Sequence, residues 1–345
     1  MVRILRLHGR QGEGNRCSTH RAAVTGVHVD ASKDRLNYAP SPAAYGTWSD
    51  TADYSYNTKA FIEDKQANEY FKEHIEYFLT RENQYTGVEY RNEPTILMWE
   101  CANELEYNSR DTEDRSLAFW YEDIASYIKS IDSNHLVSTG MHGSMGEVYE
   151  PWIRRCAFVE DHQVDEIDVC SFHDYPIHPF RDGVQIRSPE LAGRYAEHKT
   201  RLAHDEIGKP VYAGEYGIHF VPDADTGYIS TIETEESASD VESNRNYPQA
   251  YHDQHDDSVL VTRQQDIQGV DLTDRNEYFR NLTEVAADNA MDGVGFWRLL
   301  PNTVGENASR EESREHRAKH GSLAIYPADT ETLAVIQEYY SSVVG

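Results

Sequence analysis

The segment Thr95-Ile-Leu-Met-Trp-Glu-Cys-Ala-Asn-Glu104 sets the tightest limit on what this chain can fold into. An apolar run of this kind, entered from Pro94, reads as a strand buried on both faces. It ends abruptly in Asn103-Glu104, an amide and a carboxylate that are costly to bury and add nothing to packing. Strands covered on both faces belong to parallel α/β architectures. In barrels of that class the reacting groups sit at the C-terminal strand ends. Within the run, Trp99 is read as packing and Glu100 receives no role.

A second stretch repeats the pattern. Lys209-Pro-Val-Tyr-Ala-Gly-Glu-Tyr-Gly217 is a strand that ends in Glu215. Further strands are expected at His135–Gly140, at Ile167–His173 leading into Asp174-Tyr175-Pro176, and at Gly293–Leu299 around Trp297. Helical spacing of apolar residues marks 59–80, 115–131, 189–206, 276–291 and 332–343. The alternation predicts a parallel barrel or a doubly wound sheet. The 345 residues suffice for one large domain. Two regions break the rhythm. Residues 220–260 are acidic, rich in Ser and Thr, and read as a surface insertion, while residues 9–55 show no strand–helix alternation.

Two carboxylates at the ends of separate strands suggest glycosidic bond cleavage. That reaction needs one carboxylic acid to protonate the leaving oxygen and one carboxylate to act at the opposite face of the anomeric carbon. Glu104 and Glu215 fit these roles. Asn103 can hydrogen-bond a sugar hydroxyl, His173 and Tyr175 can steady the nucleophile, and Trp297 can lie flat beneath a sugar ring. The two carboxylates perform the chemistry, so no cofactor is expected. The cysteines Cys17, Cys101, Cys156 and Cys170 form no CxxC pair, so no zinc site is expected either. Cys101 and Cys170, inside strands, read as small buried hydrophobes.

Several of these blocks together resemble glycoside hydrolase family 5, most closely its endo-β-1,4-mannanases. The resemblance rests on Leu79–Tyr90 followed by Glu93–Glu104, on Ile128–Gly140, on Ile167–Pro176 with its His-x-Tyr pair, on Ala213-Gly-Glu-Tyr-Gly217 and on Gly295-Phe-Trp297. It implies a (β/α)8 TIM barrel forming a single catalytic domain over 1–345, and a retaining mechanism with Glu104 as acid/base and Glu215 as nucleophile. Asn103 then contacts the 2-hydroxyl, and His173, Tyr175 and Trp297 take active-site positions. It also implies a monomer acting outside the cell on β-mannan. Alternatives are a β-1,4-glucanase, a β-mannosidase of the same clan, or a damaged barrel without catalysis. Leu105 stands where the family usually has Pro, and Tyr216 where Phe is common.

The larger departure is at the front. Only Val2–Leu7 resembles one of the family's first three strands, with Arg3 matching an arginine that helps hold the nucleophile. Residues 1–58 are therefore expected to be truncated or irregular, the barrel to be incomplete at its N-terminal strands, and the strand ending in Glu104 to lack a neighbour on one side.

The net charge of −28 comes from 60 acidic residues against 32 basic ones, only eight of them Lys, and it is spread along the chain. Such a surface disfavours nucleic acid and anionic membranes as partners. It destabilises a compact state by self-repulsion unless salt screens it, which reads as adaptation to concentrated salt. We expect the melting temperature to climb from low salt to molar KCl; a flat or falling curve removes the halophilic reading.

Overall fold

The computed structural model describes residues 2–5, 22–26, 45, 48–49, 58–105, 116–143, 157–180, 183–186, 189–218, 262–264, 272–297, 299, 323–327 and 329–344. The chain divides into two compact units, the first comprising Met1–His173 and Arg201–Gly214, the second Asp174–Thr200 and Glu215–Gly345. The acidic segment 220–260 lies outside the described residues, as do Cys17 and Cys156.

The first unit begins with strands β1 (Val2–Leu5) and β2 (Ala22–Gly26), which pair antiparallel. Helices α1 (Thr58–Glu63) and α2 (Lys65–Thr80) follow. The periodicity of 59–80 predicts one helix, but the structure has two. Asp64 is the reason: its carboxylate accepts from Ala67 N at 2.8 Å and caps α2. The Asn68 side chain then donates to the Phe61 and Ile62 carbonyls at 2.9 and 3.1 Å, satisfying the end of α1. The same side chain accepts from Trp120 Nε1 at 2.7 Å. Around it Tyr45, Phe61, Phe71 and Trp120 pack ring against ring.

Strand β3 (Ile96–Glu100) is buried along almost its whole length. Helix α3 (Ala118–Ile131), strand β4 (Leu136–Ser138), helix α4 (Phe158–His162) and strand β5 (Cys170–Asp174) follow. β2 lies parallel to β3, β3 lies parallel to β4, and Ser138 bridges Val169 in parallel. The expectation that the strand ending in Glu104 lacks a neighbour on one side is thus corrected. The segment 9–55 supplies β2, and the strand leading to Glu104 has a partner on that side. Ala22-Ala-Val-Thr-Gly26 is short and built mainly of small residues, so it carries little alternation to announce a strand.

Helix α3 starts at Leu117, which offers no capping acceptor. Asp161 of α4 supplies one, taking Leu117 N at 2.6 Å and Ser116 Oγ at 2.8 Å. Burial pushes this carboxyl up to about 7, against the pull of those donors. The helix ends at Asp132, which is buried and accepts from Trp99 Nε1 (2.6 Å), Asn134 N (2.8 Å) and the His135 ring (2.6 Å). Trp99 is therefore packing, as expected, but it also ties β3 to the end of α3. Cys101 and Cys170 are both fully buried, as expected.

Strand β5 leads into strands β6 (Ile177–Phe180) and β7 (Gly183–Ile186) of the second unit. Helix α5 (Pro189–Arg201) and one π turn (Leu202–Ile207) lead to β8 (Val211–Tyr216). Strand β9 (Thr262–Gln264), helix α6 (Leu272–Asp288), β10 (Gly293–Phe296) and helix α7 (Thr330–Val344) complete the described elements. β6, β7 and β9 form an antiparallel sheet not anticipated from the sequence, where Pro176 and Pro179 argue against strands. In the first unit β8 adjoins β5, with Cys170 N donating to Pro210 O at 2.8 Å. In the second, the end of β10 meets the end of β8, where Trp297 N donates to Tyr216 O at 2.8 Å. Gly193 of α5 faces α6 so closely that a Cβ there would lie 2.1 Å from Asn281 Oδ1.

The Asp132–His135 pair gives a testable pH signature. Burial raises the Asp132 carboxyl, but donors from His135, Trp99 and Asn134 outweigh it and the net shift is downward from 3.8. Burial lowers His135, but the Asp132 partner and the Glu93 carbonyl outweigh that and raise it above 6.5. The carboxylate's contribution is thus present above 3.8 and lost as pH falls through the lowered folded value. The imidazolium's contribution is complete below 6.5 and lost as pH rises through the raised value. Asp132→Asn should cost about 3 kcal/mol near pH 5.5 and less at pH 8.5 in denaturant unfolding; an equal cost at both pH values would overturn this.

Candidate active site

The site residues are positioned by backbone contacts past the strand ends. Beyond β3, Cys101 N donates to Ser138 O (2.9 Å), Ala102 N to Thr139 O (3.2 Å) and Glu104 N to Gly140 O (2.9 Å). Gly140 has φ +72°, and a Cβ at that position would sit 1.8 Å from the Ala102 carbonyl oxygen. Only glycine permits both the conformation and the approach. Glu104 itself adopts φ 54°, a left-handed conformation that is uncommon outside glycine and clusters at functional sites.

The Glu104 side chain is 22% exposed, and its Oε1 lies 2.7 Å from Nδ1 of the buried His173. A ring nitrogen can serve both states of a group that cycles its proton, accepting from a carboxylic acid and donating to a carboxylate. His173 N in turn donates to the His142 carbonyl at 3.0 Å. Asn103, half-buried, precedes Glu104. From sequence His173 is expected to steady Glu215; the contact seen here is that of its Nδ1 with Glu104. The described part of the first unit thus brings Asn103, Glu104 and His173 together.

In the second unit Glu215 is 4% exposed at the end of β8. A carboxylate so buried needs a donor, and the Tyr175 hydroxyl donates to its Oε2 in a short hydrogen bond. Tyr175 thus meets the carboxylate it is expected from sequence to steady. Gly217 permits the crowding beyond Glu215. A Cβ there would lie 2.7 Å from the Trp297 carbonyl oxygen, 2.9 Å from a Tyr175 ring carbon and 3.1 Å from Leu323. Gly217 N donates to Asp174 O at 3.2 Å, and Tyr216 Oη donates to Tyr278 O at 3.0 Å. Trp297 is half-buried just past β10. Arg3 lies on β1 opposite Val24, and its side chain lies outside what is described.

Glu100, given no role from sequence, is 2% exposed and accepts a short hydrogen bond from the Tyr212 hydroxyl of β8. Gly140 and Gly217 also carry no role in the sequence reading. The available signal is a glycine closing each of two strands, at Ser-Thr-Gly140 and Glu-Tyr-Gly217.

The family model for family 5 β-mannosidase-like glycoside hydrolases matches residues 27–299. The chain belongs to glycoside hydrolase family 5, and its fold is the (β/α)8 barrel of that family. It is 37% identical over 189 residues to putative mannan endo-1,4-beta-mannosidase 5 of Oryza sativa subsp. japonica, covering 51% of this chain and 38% of the relative. It is 27% identical over 261 residues to mannan endo-1,4-beta-mannosidase 1 of Arabidopsis thaliana, covering 71% and 52%. The chain therefore spans about half or less of the length of these curated relatives. Among solved structures, an endo-β-1,4-mannanase from Thermotoga petrophila superposes with a TM-score of 0.62 at 23% identity, covering 93% of this chain and 57% of that one.

Two glycines of the first unit separate strain from crowding. Gly208 has φ +79° with nothing within 4 Å of the place a Cβ would take, whereas Gly140 has both a positive φ and the Ala102 oxygen. Gly208→Ala should cost about 1–2 kcal/mol, and Gly140→Ala clearly more, in equilibrium unfolding. Equal costs would show that the close approach at Gly140 relaxes freely.

Proposed function

We propose that this chain hydrolyses β-1,4-mannosidic linkages within mannan-type polysaccharides by a retaining, double-displacement mechanism. The observation that carries the reading is the different chemistry given to the two strand-end carboxylates. Glu104, partly exposed, is paired with an imidazole nitrogen, and Glu215, almost fully buried, receives a short hydrogen bond from a phenolic hydroxyl. In the first step Glu104 protonates the departing glycosidic oxygen while Glu215 attacks the anomeric carbon, breaking the sugar–oxygen bond and forming a glycosyl ester. In the second, Glu104 takes a proton from water, whose oxygen displaces Glu215. Asn103 contacts the 2-hydroxyl, Trp297 underlies a sugar ring, and Arg3 helps to hold the nucleophile. The mannan preference draws on the relatives named as mannan endo-1,4-beta-mannosidases. We read residues 1–345 as one catalytic domain, with 220–260 as an acidic surface insertion, working as a monomer outside the cell in concentrated salt.

With an activated aryl mannobioside, azide should restore turnover to Glu104→Ala and yield the β-mannosyl azide. Glu215→Ala should lose turnover and, where azide reacts at all, give the α-azide. The opposite pairing of anomers would exchange the two roles. Wild-type hydrolysis of locust-bean gum in high salt should exceed that of carboxymethylcellulose and of a nitrophenyl mannoside. A preference for cellulose would replace the mannanase reading with a glucanase, and a preference for the small mannoside would replace it with an exo-acting β-mannosidase.

A further inference from the structure

We propose that Thr139, Ser171 and His162 are positioning residues for the acid/base glutamate, acting through the backbone of Gly140. The inference rests on Glu104 being the acid/base residue. The three side chains are fully buried, at 0% exposure each, and none belongs to the site already described.

Their hydrogen bonds admit only one arrangement of protons. His162 Nδ1 lies 2.7 Å from the Phe158 carbonyl oxygen, which can only accept, so Nδ1 carries the proton. His162 Nε2 lies 3.1 Å from Ser171 N, which can only donate, so Nε2 is an acceptor and the ring is neutral. Thr139 Oγ1, 2.8 Å from Nε2, must then donate to it. With its one proton so committed, Thr139 Oγ1 accepts from Ser171 Oγ at 3.0 Å. Ser171 Oγ in turn accepts from Gly140 N at 3.0 Å. The chain of donors thus runs from Gly140 N through Ser171, Thr139 and His162 to the Phe158 carbonyl.

What it holds is the residue whose carbonyl receives Glu104 N at 2.9 Å and whose missing Cβ admits the Ala102 oxygen. Glu104 sits in a left-handed conformation that only surrounding contacts can maintain. A displacement of Gly140 is therefore passed directly to the backbone that aims the Glu104 carboxyl. The Thr139 and Gly140 carbonyls lie on the strand extension that pairs with the chain beyond β3, so the side-chain network and the backbone ladder meet at the same two residues.

The test uses the full-length chain and two substrates with one sugar and different leaving groups, 2,4-dinitrophenyl and phenyl β-mannobioside. Only the phenyl substrate needs a proton delivered to its leaving oxygen. Thr139→Val, which keeps the shape and loses the hydroxyl, should lower kcat/KM for the phenyl substrate by about tenfold or more while changing the dinitrophenyl value far less. Thr139→Ser should restore the phenyl value. Ser171→Ala provides the same comparison should Thr139→Val fail to fold, as judged by circular dichroism. Glu104→Ala is the reference, with a still larger loss on the phenyl substrate alone. If Glu104→Ala behaves so and the Thr139 and Ser171 variants depress both substrates equally, or neither, the positioning role is overturned. If Glu104→Ala shows no dependence on the leaving group, the acid/base assignment fails first and this inference falls with it.

Discussion

The close backbone approach between the ends of β3 and β4 governs how Glu104 is presented. The Ala102 carbonyl occupies the space where a side chain at position 140 would be, and Gly140 returns a carbonyl to Glu104 N. These contacts turn the chain sharply after an ordinary buried strand, so that the carboxylate leaves the ladder in a left-handed conformation. The cost of that conformation, of order 1–2 kcal/mol, falls on a segment held from several directions. The rest of the first unit supports this turn. Asp132 fixes Trp99 against the end of α3, and Asp161 fixes the start of the same helix, so both ends of α3 are pinned by carboxylates.

Much of the strand framework was legible in the sequence because buried parallel strands are written as apolar runs. Ile96–Glu100, Leu136–Ser138, Cys170–Asp174, Val211–Tyr216 and Gly293–Phe296 all fall in or beside the stretches read as strands. β2 escaped because small residues give no periodic signal, and the split at Asp64 escaped because Phe71, Ile75 and Leu79 keep helical spacing on one side of a cap. The hairpin β6–β7 escaped because proline counts against a strand even where pairing tolerates it.

At the site the order of legibility follows chemistry. Carboxylates closing apolar runs stand out because nothing about packing explains them, and the structure places Glu104 just beyond β3 and Glu215 at the end of β8. The contact of Tyr175 with Glu215 matches the sequence expectation, whereas that of His173 with Glu104 was not read, the pairs lying 40 and 69 residues apart. His173 and Tyr175 are separated by a single residue, Asp174, yet the Nδ1 of one meets Glu104 and the hydroxyl of the other meets Glu215. Sequence proximity says nothing about which distant side chain each one meets; only the fold does.

The two buried cysteines carry a further consequence. Cys101 directly follows β3, and Cys170 opens β5. Burial, and then the charge of Glu100, raises the Cys101 thiol far above its usual range. Only a thiolate reacts readily with alkylating reagents, so Cys101 stays silent while the strands remain paired. Its rate of labelling under native conditions therefore reports how often this part of the sheet opens, making the protein its own clock for local unfolding beside Glu104.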